Sequence, residues 1–138
     1  MNTDKNIATL NQLYAAFGRG DLPAIFEPLH PDIELEFGSP HGDTLPWHIP
    51  GRGREHFASF LGQVAAHLEF RHFEVLAIMA QGPWVVGLIK LEALVRKTGR
   101  TLREECEAHI WRFDEHGRIV AMRHAADTLH HAHAYGLV

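Results

Sequence analysis

From residue 70 onward the apolar side chains stop recurring at helical spacing and begin to alternate. Four successive runs keep that alternation: 70–79, 84–96, 101–113 and 118–128. The gaps between them carry QGP, KTGR and DEHG, short Gly-containing stretches of the kind that reverse a chain between neighbouring strands. Four long strands joined this way predict an antiparallel meander. The chain ahead of them must supply whatever covers one of its faces.

That earlier part reads as helices. Residues 4–18 place Ile7, Leu10, Leu13, Tyr14 and Phe17 on one face, with Thr3 or Asp4 able to cap the start and Gly18 or Gly20 to stop it. Asp21 opens a second, short helix over Leu22–Leu29, with Pro23 in its first turn and Pro31 and Asp32 ending it. Ile33–Phe37 alternates apolar and acidic residues, the pattern of a half-buried strand. Residues 38–54 are rich in Gly and Pro and predict a loop, long enough to act as a lid. A third helix over 55–68 turns Phe57, Phe60, Leu61, Val64 and Leu68 inward, and Asp127 caps a last helix over Thr128–Tyr135. Helices followed by a curled sheet make an α+β fold in one domain, 1–138. The sheet, mixed or antiparallel, would wrap around three N-terminal helices and enclose a conical cavity.

Composition narrows the functions available. A chain of 138 residues with 46% hydrophobic and 22% charged side chains has the make-up of an ordinary globular domain. Its net charge of −4 is spread along the chain, which argues against a nucleic-acid face. No apolar run approaches the roughly 18 residues of a membrane span, and no basic-then-apolar leader opens the chain, so the expectation is a cytoplasmic protein without a membrane partner. Cys106 is the one cysteine, which excludes an internal disulfide. Twelve histidines are the oddity.

The hairpin KTGR sets a register. If Thr98-Gly99 is a two-residue loop, Leu88 faces His109, Lys90 faces Glu107 and Glu92 faces Glu105. Glu107, His109, Trp111 and Phe113 then share one side, and Cys106, Ala108 and Ile110 the other. Lys90 would reach Glu107 beside His109, as a partly buried ion pair or as part of a site. On the last strand Val120, Met122, His124 and Ala126 share a face opposite to Arg123, Ala125 and Asp127.

Four stretches in order, LYAAFGRGDL, DTLPWHIPGRGREHFASFL, TGR and AHIWRFDEHGRIVAMRHAADT, carry a resemblance. Together they resemble the SnoaL-like proteins, within the superfamily of nuclear transport factor two and steroid delta-isomerase. The resemblance implies a curved sheet on three helices, a conical pocket and a homodimer through the outer face of the sheet. It implies an isomerase, dehydratase, epoxide hydrolase, polyketide cyclase or non-catalytic binding module. The steroid-isomerase residues do not carry over. Its general-base aspartate falls at Phe37, its tyrosine at Leu13 beside Tyr14, and its second acid at His109. In the epoxide-hydrolase pattern one carboxylate falls at His124 and another near Lys90. The dehydratases' pocket histidines match His109 and His124, and the cyclases' late aspartate matches Asp127.

His109 is therefore the expected acid or base, with Glu107 and His124 beside it. Tyr14, Trp47, Lys90, Trp111 and Met122 are the expected ligand contacts. Each has a plainer reading: His109 as a buried histidine satisfied by Glu107, His124 as a core residue under the last helix, Tyr14 as part of an apolar helix face, Trp47 as a plug. Asp127, His130, His131 and His133 invite a metal, but a terminal tail offers neither enclosure nor orienting partners, so no metal is expected. The function anticipated is cofactor-free acid–base chemistry on a small apolar or polyketide- or steroid-like molecule. The alternatives are a non-catalytic ligand-binding module, or a scaffold with a filled cavity.

Overall fold

The computed structural model describes residues 2–38 and 44–138. Residues 39–43, within the loop expected over 38–54, lie outside the described residues.

Helix α1 (Thr3–Arg19) starts one residue earlier than a Thr3 cap and two earlier than an Asp4 cap would place it, because the Asn2 side chain accepts the Lys5 N–H at 2.9 Å. It ends at Gly20, which takes φ 69°, a left-handed conformation that glycine adopts without strain. Helix α2 (Leu22–Phe26) is capped by Asp21 and is shorter than expected. Glu27 keeps helical geometry and closes the last turn on Pro23 O at 3.1 Å, and Pro28, with no N–H to donate, cannot continue the helix. The chain is already extended by Leu29, so β1 (Leu29–Phe37) takes in Pro31 and Asp32. Pro31, with no N–H to pair, sits where the pairing of β1 slips, between Leu29 and Glu34. Strand β2 (Gly51–Arg52) is too short to leave a periodic signal. Helix α3 (Arg54–His67), strands β3 (Leu68–Gln81), β4 (Trp84–Val95), β5 (Thr101–Phe113) and β6 (Ile119–Ala125), and helix α4 (Thr128–Tyr135) follow the expected order.

The six strands form one sheet in the order β2-β1-β6-β5-β4-β3. Strand β1 runs parallel to β6 and the other pairs are antiparallel, so the sheet is mixed and open. Helices α1 and α3 pack on its inner face, with Leu10, Ile25, Ile33, Leu35, Ile89 and Phe113 fully buried between the layers.

The β4–β5 turn corrects the expected register. The Val95 N–H donates to Arg100 O at 2.9 Å and the Gly99 N–H to Val95 O at 2.8 Å, so four residues, not two, make the loop. Leu91 consequently faces Glu104, and Glu92 faces Arg103. The register then shifts again before Ile89 meets Glu107 and Gly87 meets His109. Glu105 and Cys106 together stand opposite Lys90, a β-bulge. The expected Lys90–Glu107 pair therefore does not form. Lys90 points outward and lies 3.7 Å from Glu105 at the surface. The bulge has a second effect. It turns Glu104 to the same inner face as Glu107, three residues away, and both are buried.

Helix α4 is tied down at both ends. The Asp127 carboxylate accepts the His130 N–H at 3.1 Å, and the Asp127 N–H donates to Glu104 Oε1 at 2.9 Å. Thr98 Oγ1 donates to Ala134 O at 2.6 Å at the other end. Asp127 is a cap, so Asp127→Ala should lower unfolding free energy by about 1 kcal/mol (roughly 0.5–2) in urea titrations. A change near zero would show that the cap contributes nothing.

Candidate active site

Between the helices and the sheet lies a cavity of about 80 Å³. Most of its wall is apolar, including Phe17, Phe60, Phe70, Phe73 and Met122. One side is polar: Tyr14, His48, Glu107, His109, His124 and His131 line it, with Trp47 and Trp111 between them. Tyr14, Trp47, Glu107, His109, Trp111, Met122 and His124 are thus brought together around one hollow. Lys90 is not among them.

His109 and His124 are cross-strand partners on β5 and β6, with ring centroids 4.5 Å apart. A line of hydrogen bonds runs through His109. The Trp111 indole N–H donates to the Tyr14 hydroxyl oxygen at 3.1 Å. The Tyr14 hydroxyl lies 2.8 Å from His109 Nδ1, and His109 Nε2 lies 2.7 Å from Glu107 Oε2. An indole N–H can only donate. The arrangement that satisfies each group has Tyr14 O–H donating to Nδ1 of a neutral His109, whose Nε2–H donates to the Glu107 carboxylate. Gly87 makes this line geometrically feasible. It stands opposite His109 on β4, and a Cβ there would come within 2.5 Å of the Tyr14 hydroxyl. The sequence signal was available, since a glycine inside a strand marks a close approach.

A second buried group joins the first. The Trp47 indole N–H donates to His131 Nδ1 at 3.0 Å, and His131 Nε2 lies 3.0 Å from Glu104 Oε1 and 3.7 Å from Glu107 Oε1. Because Trp47 can only donate, His131 Nδ1 carries no proton, and the Nε2–H points to Glu104. The last helix is therefore no loose tail. It buries His131 to 2% exposure, against the expectation that its histidines lie outside any enclosed site. His133 stays exposed, and His130 Nε2 accepts the Arg103 N–H. Glu104, His131 and His48 were all missed as site residues, the first because only the bulge turns it inward.

Among the described residues, two sets of side chains bring metal-ligand atoms within 4.8 Å of one another: Glu107, His109 and His124, and Glu104, Glu107 and His131. The second set does not fit a cation. A ligating imidazole ordinarily donates its far N–H to an acceptor, whereas the far nitrogen of His131 receives an indole N–H. In the first set, the short Glu107–His109 contact already holds a proton that an ion would have to displace.

The model of the SnoaL-like domain matches residues 10–122. The chain belongs to the SnoaL-like family. No curated protein matches the chain significantly. This SnoaL-like chain also resembles solved structures in fold. An NTF2-like protein of Burkholderia pseudomallei is 24% identical, with 99% of each chain covered and a TM-score of 0.84. One from Burkholderia thailandensis is 25% identical over 97% of this chain and 98% of the other, with a TM-score of 0.81. An LEH-like epoxide hydrolase of M. tuberculosis is 17% identical, covering 96% of this chain and 90% of its own, at a TM-score of 0.69.

Burial sets the electrostatics of the SnoaL-like cavity. It pushes the Tyr14 hydroxyl above its ordinary value, only partly offset by the bond from Trp111, so Tyr14 stays protonated. His48 is driven down to about 3, by burial first and then by having the His131 imidazole beside it. His124 falls well below the usual imidazole value, by burial and then by His109. Burial alone would raise Glu107. The hydrogen bond from His109 outweighs it and holds the carboxyl below its ordinary value.

The folded state thus resists protonating His48 and His124, while the unfolded chain takes protons readily below about pH 6.5. Stability from these two groups is complete above that pH and falls as pH drops toward their folded values. Each should contribute a slope of about 1.4 kcal/mol per pH unit within that window. Urea midpoints measured at intervals from pH 7 to pH 4 check this. His48→Phe should flatten the slope, and an unchanged slope would contradict the assignment.

Proposed function

We propose that this SnoaL-like chain is a cofactor-independent acid–base enzyme of the isomerase, dehydratase or cyclase kind, acting on a small, mostly apolar molecule. The observation that supports it is the buried line Trp111–Tyr14–His109–Glu107 against an apolar cavity. Both His109 nitrogens are engaged, so His109 meets the substrate through Tyr14. The phenol oxygen has one lone pair taken by Trp111 and one left. A substrate proton moves to that oxygen as Tyr14 passes its own proton to His109 Nδ1. The imidazolium so formed lies against the Glu107 carboxylate, which stabilises it without being protonated itself. The reverse steps return a proton to another atom of the substrate, which completes an isomerisation or assists loss of a hydroxyl as water. General acid–base steps of this kind contribute about 10²–10⁴-fold.

The cavity volume bears on the substrate. About 80 Å³ is well below the roughly 300–1,000 Å³ typical of sites for drug-sized ligands. We therefore read the substrate as a single ring or a short chain rather than a steroid-sized molecule. The same tight, apolar wall also suits the second reading, a binding module with no turnover.

Proton transfer can be tested without knowing the product. In D₂O, a small enolisable ketone such as cyclopentanone should acquire deuterium beside its carbonyl faster with protein than in buffer, followed by proton NMR. Tyr14→Phe and His109→Gln should each lower the exchange rate by about 100-fold or more, and Gly87→Ala should do so by displacing the Tyr14 hydroxyl. Ketones that bind but exchange no faster than in buffer, with wild type and variants alike, select the binding module.

We further propose a homodimer through the face of the sheet turned away from the helices. Ala77, Met79, Val86, Leu88, Ala108 and Ile110 are register neighbours on that face and form an apolar patch uncovered by any described element. Light scattering at micromolar concentration should give about twice the 15.6 kDa chain mass. Leu88→Lys should return the protein to one chain mass, and a monomeric wild type would remove the proposal.

A further inference from the structure

The proton line leaves one part of the cavity unused. His48 and His124 both line it, both are buried, and the Nδ1 of each has no hydrogen-bond partner. Buried imidazole nitrogens are normally satisfied, and leaving them bare is unfavourable. Among the described residues no group is arranged to satisfy them. Instead both rings are held by stacking on Phe37, with centroid distances of 4.7 and 4.9 Å and interplanar angles of 25° and 24°, and their own centroids lie 6.0 Å apart. Stacking fixes the rings while leaving their nitrogens open to something else in the cavity.

Charge and hydrogen-bonding capacity narrow what that something is. Among the described residues, no Lys or Arg lines the cavity, and the carboxylate that does, Glu107, is held in its ionised form. An anion would meet repulsion with no counter-charge. Both open imidazoles resist protonation, so each presents one N–H and one bare nitrogen. A carboxylate can only accept and an ammonium only donate. A hydroxyl does both and matches an imidazole in either tautomer. The aromatic side chains around the hollow, Phe60 and Trp47 among them, suit a flat ring.

We propose that His48 and His124 are a recognition pair for the hydroxyl groups of an uncharged aromatic ring, and that the cavity rejects the corresponding carboxylates. This rests on reading the cavity as the substrate site, though not on the proton relay. It assigns His48 and His124 to binding and leaves Tyr14, His109 and Glu107 to chemistry.

Resorcinol, toluene and benzoate serve as probes, with affinity read by calorimetry and by quenching of tryptophan emission. Resorcinol should bind at least tenfold more tightly than toluene, and benzoate more weakly than either. His48→Phe with His124→Leu should weaken resorcinol at least tenfold and leave toluene unchanged. Should that double variant not fold, wild-type protein labelled with ¹⁵N-histidine gives the same answer, because resorcinol must shift the Nδ1 signals of His48 and His124. Benzoate binding as tightly as resorcinol, or resorcinol bound with those signals unmoved, overturns the proposal. The relay fails by a different result, unchanged deuterium exchange in Tyr14→Phe, which leaves the probe comparison standing.

Discussion

One irregularity in one strand governs the interior of this protein. The bulge opposite Lys90 turns Glu104 and Glu107 to the same side of β5 and buries both beneath an apolar roof. Two carboxylates taken out of water need compensation, because an unpaired buried charge is far more costly than an exposed one. No arginine or lysine among the described residues lines the cavity to supply it. The protein uses imidazole N–H groups and one backbone N–H instead. His109 serves Glu107, and His131 and the Asp127 N–H serve Glu104. The fold of the C-terminal helix follows from this, since α4 is the element that brings His131 and Asp127 to Glu104.

The four cavity histidines then differ by what surrounds them rather than by type. His109 and His131 each have both nitrogens engaged, with a carboxylate on one side and a tyrosine hydroxyl or an indole N–H on the other. His48 and His124 have stacked rings and open nitrogens. A low-dielectric interior strengthens the satisfied bonds and penalises charge on the unsatisfied rings. A single buried set of one residue type is thereby divided between groups that can move a proton and groups that stay neutral. Such separation of titrating groups by environment is the pattern that acid–base sites exploit.

The legibility of the sequence follows the range of the interactions involved. Local signals fixed the element order: the change of period after α3, the Asp127 cap, and alternation along β5 that put Glu107, His109, Trp111 and Phe113 inside. The family resemblance, carried by four stretches, agreed with the matching SnoaL-like domain. What failed was register. KTGR is compatible with a two-residue or a four-residue loop, and the longer loop moves the pairing by two residues, which leaves the faces unchanged. The bulge adds the odd step that turns Lys90 outward and Glu104 inward, and a bulge has no compositional mark here. His131 and His48 were unreadable for another reason. Their burial depends on where α4 and the loop before β2 dock, which is a property of tertiary packing and not of spacing.

That docking couples the enclosure of the cavity to its protonation. Trp47 holds the loop before β2 against α4 through His131 Nδ1, and it can do so only while that nitrogen is bare. The same neutral His131 directs its other nitrogen to Glu104, which in turn holds the Asp127 N–H. Closing the wall and setting the proton positions are therefore one event, since the indole that forms part of the wall also selects the tautomer of the imidazole beneath it. A proton added to His131 would oppose two N–H groups across 3.0 Å and loosen the wall at that point.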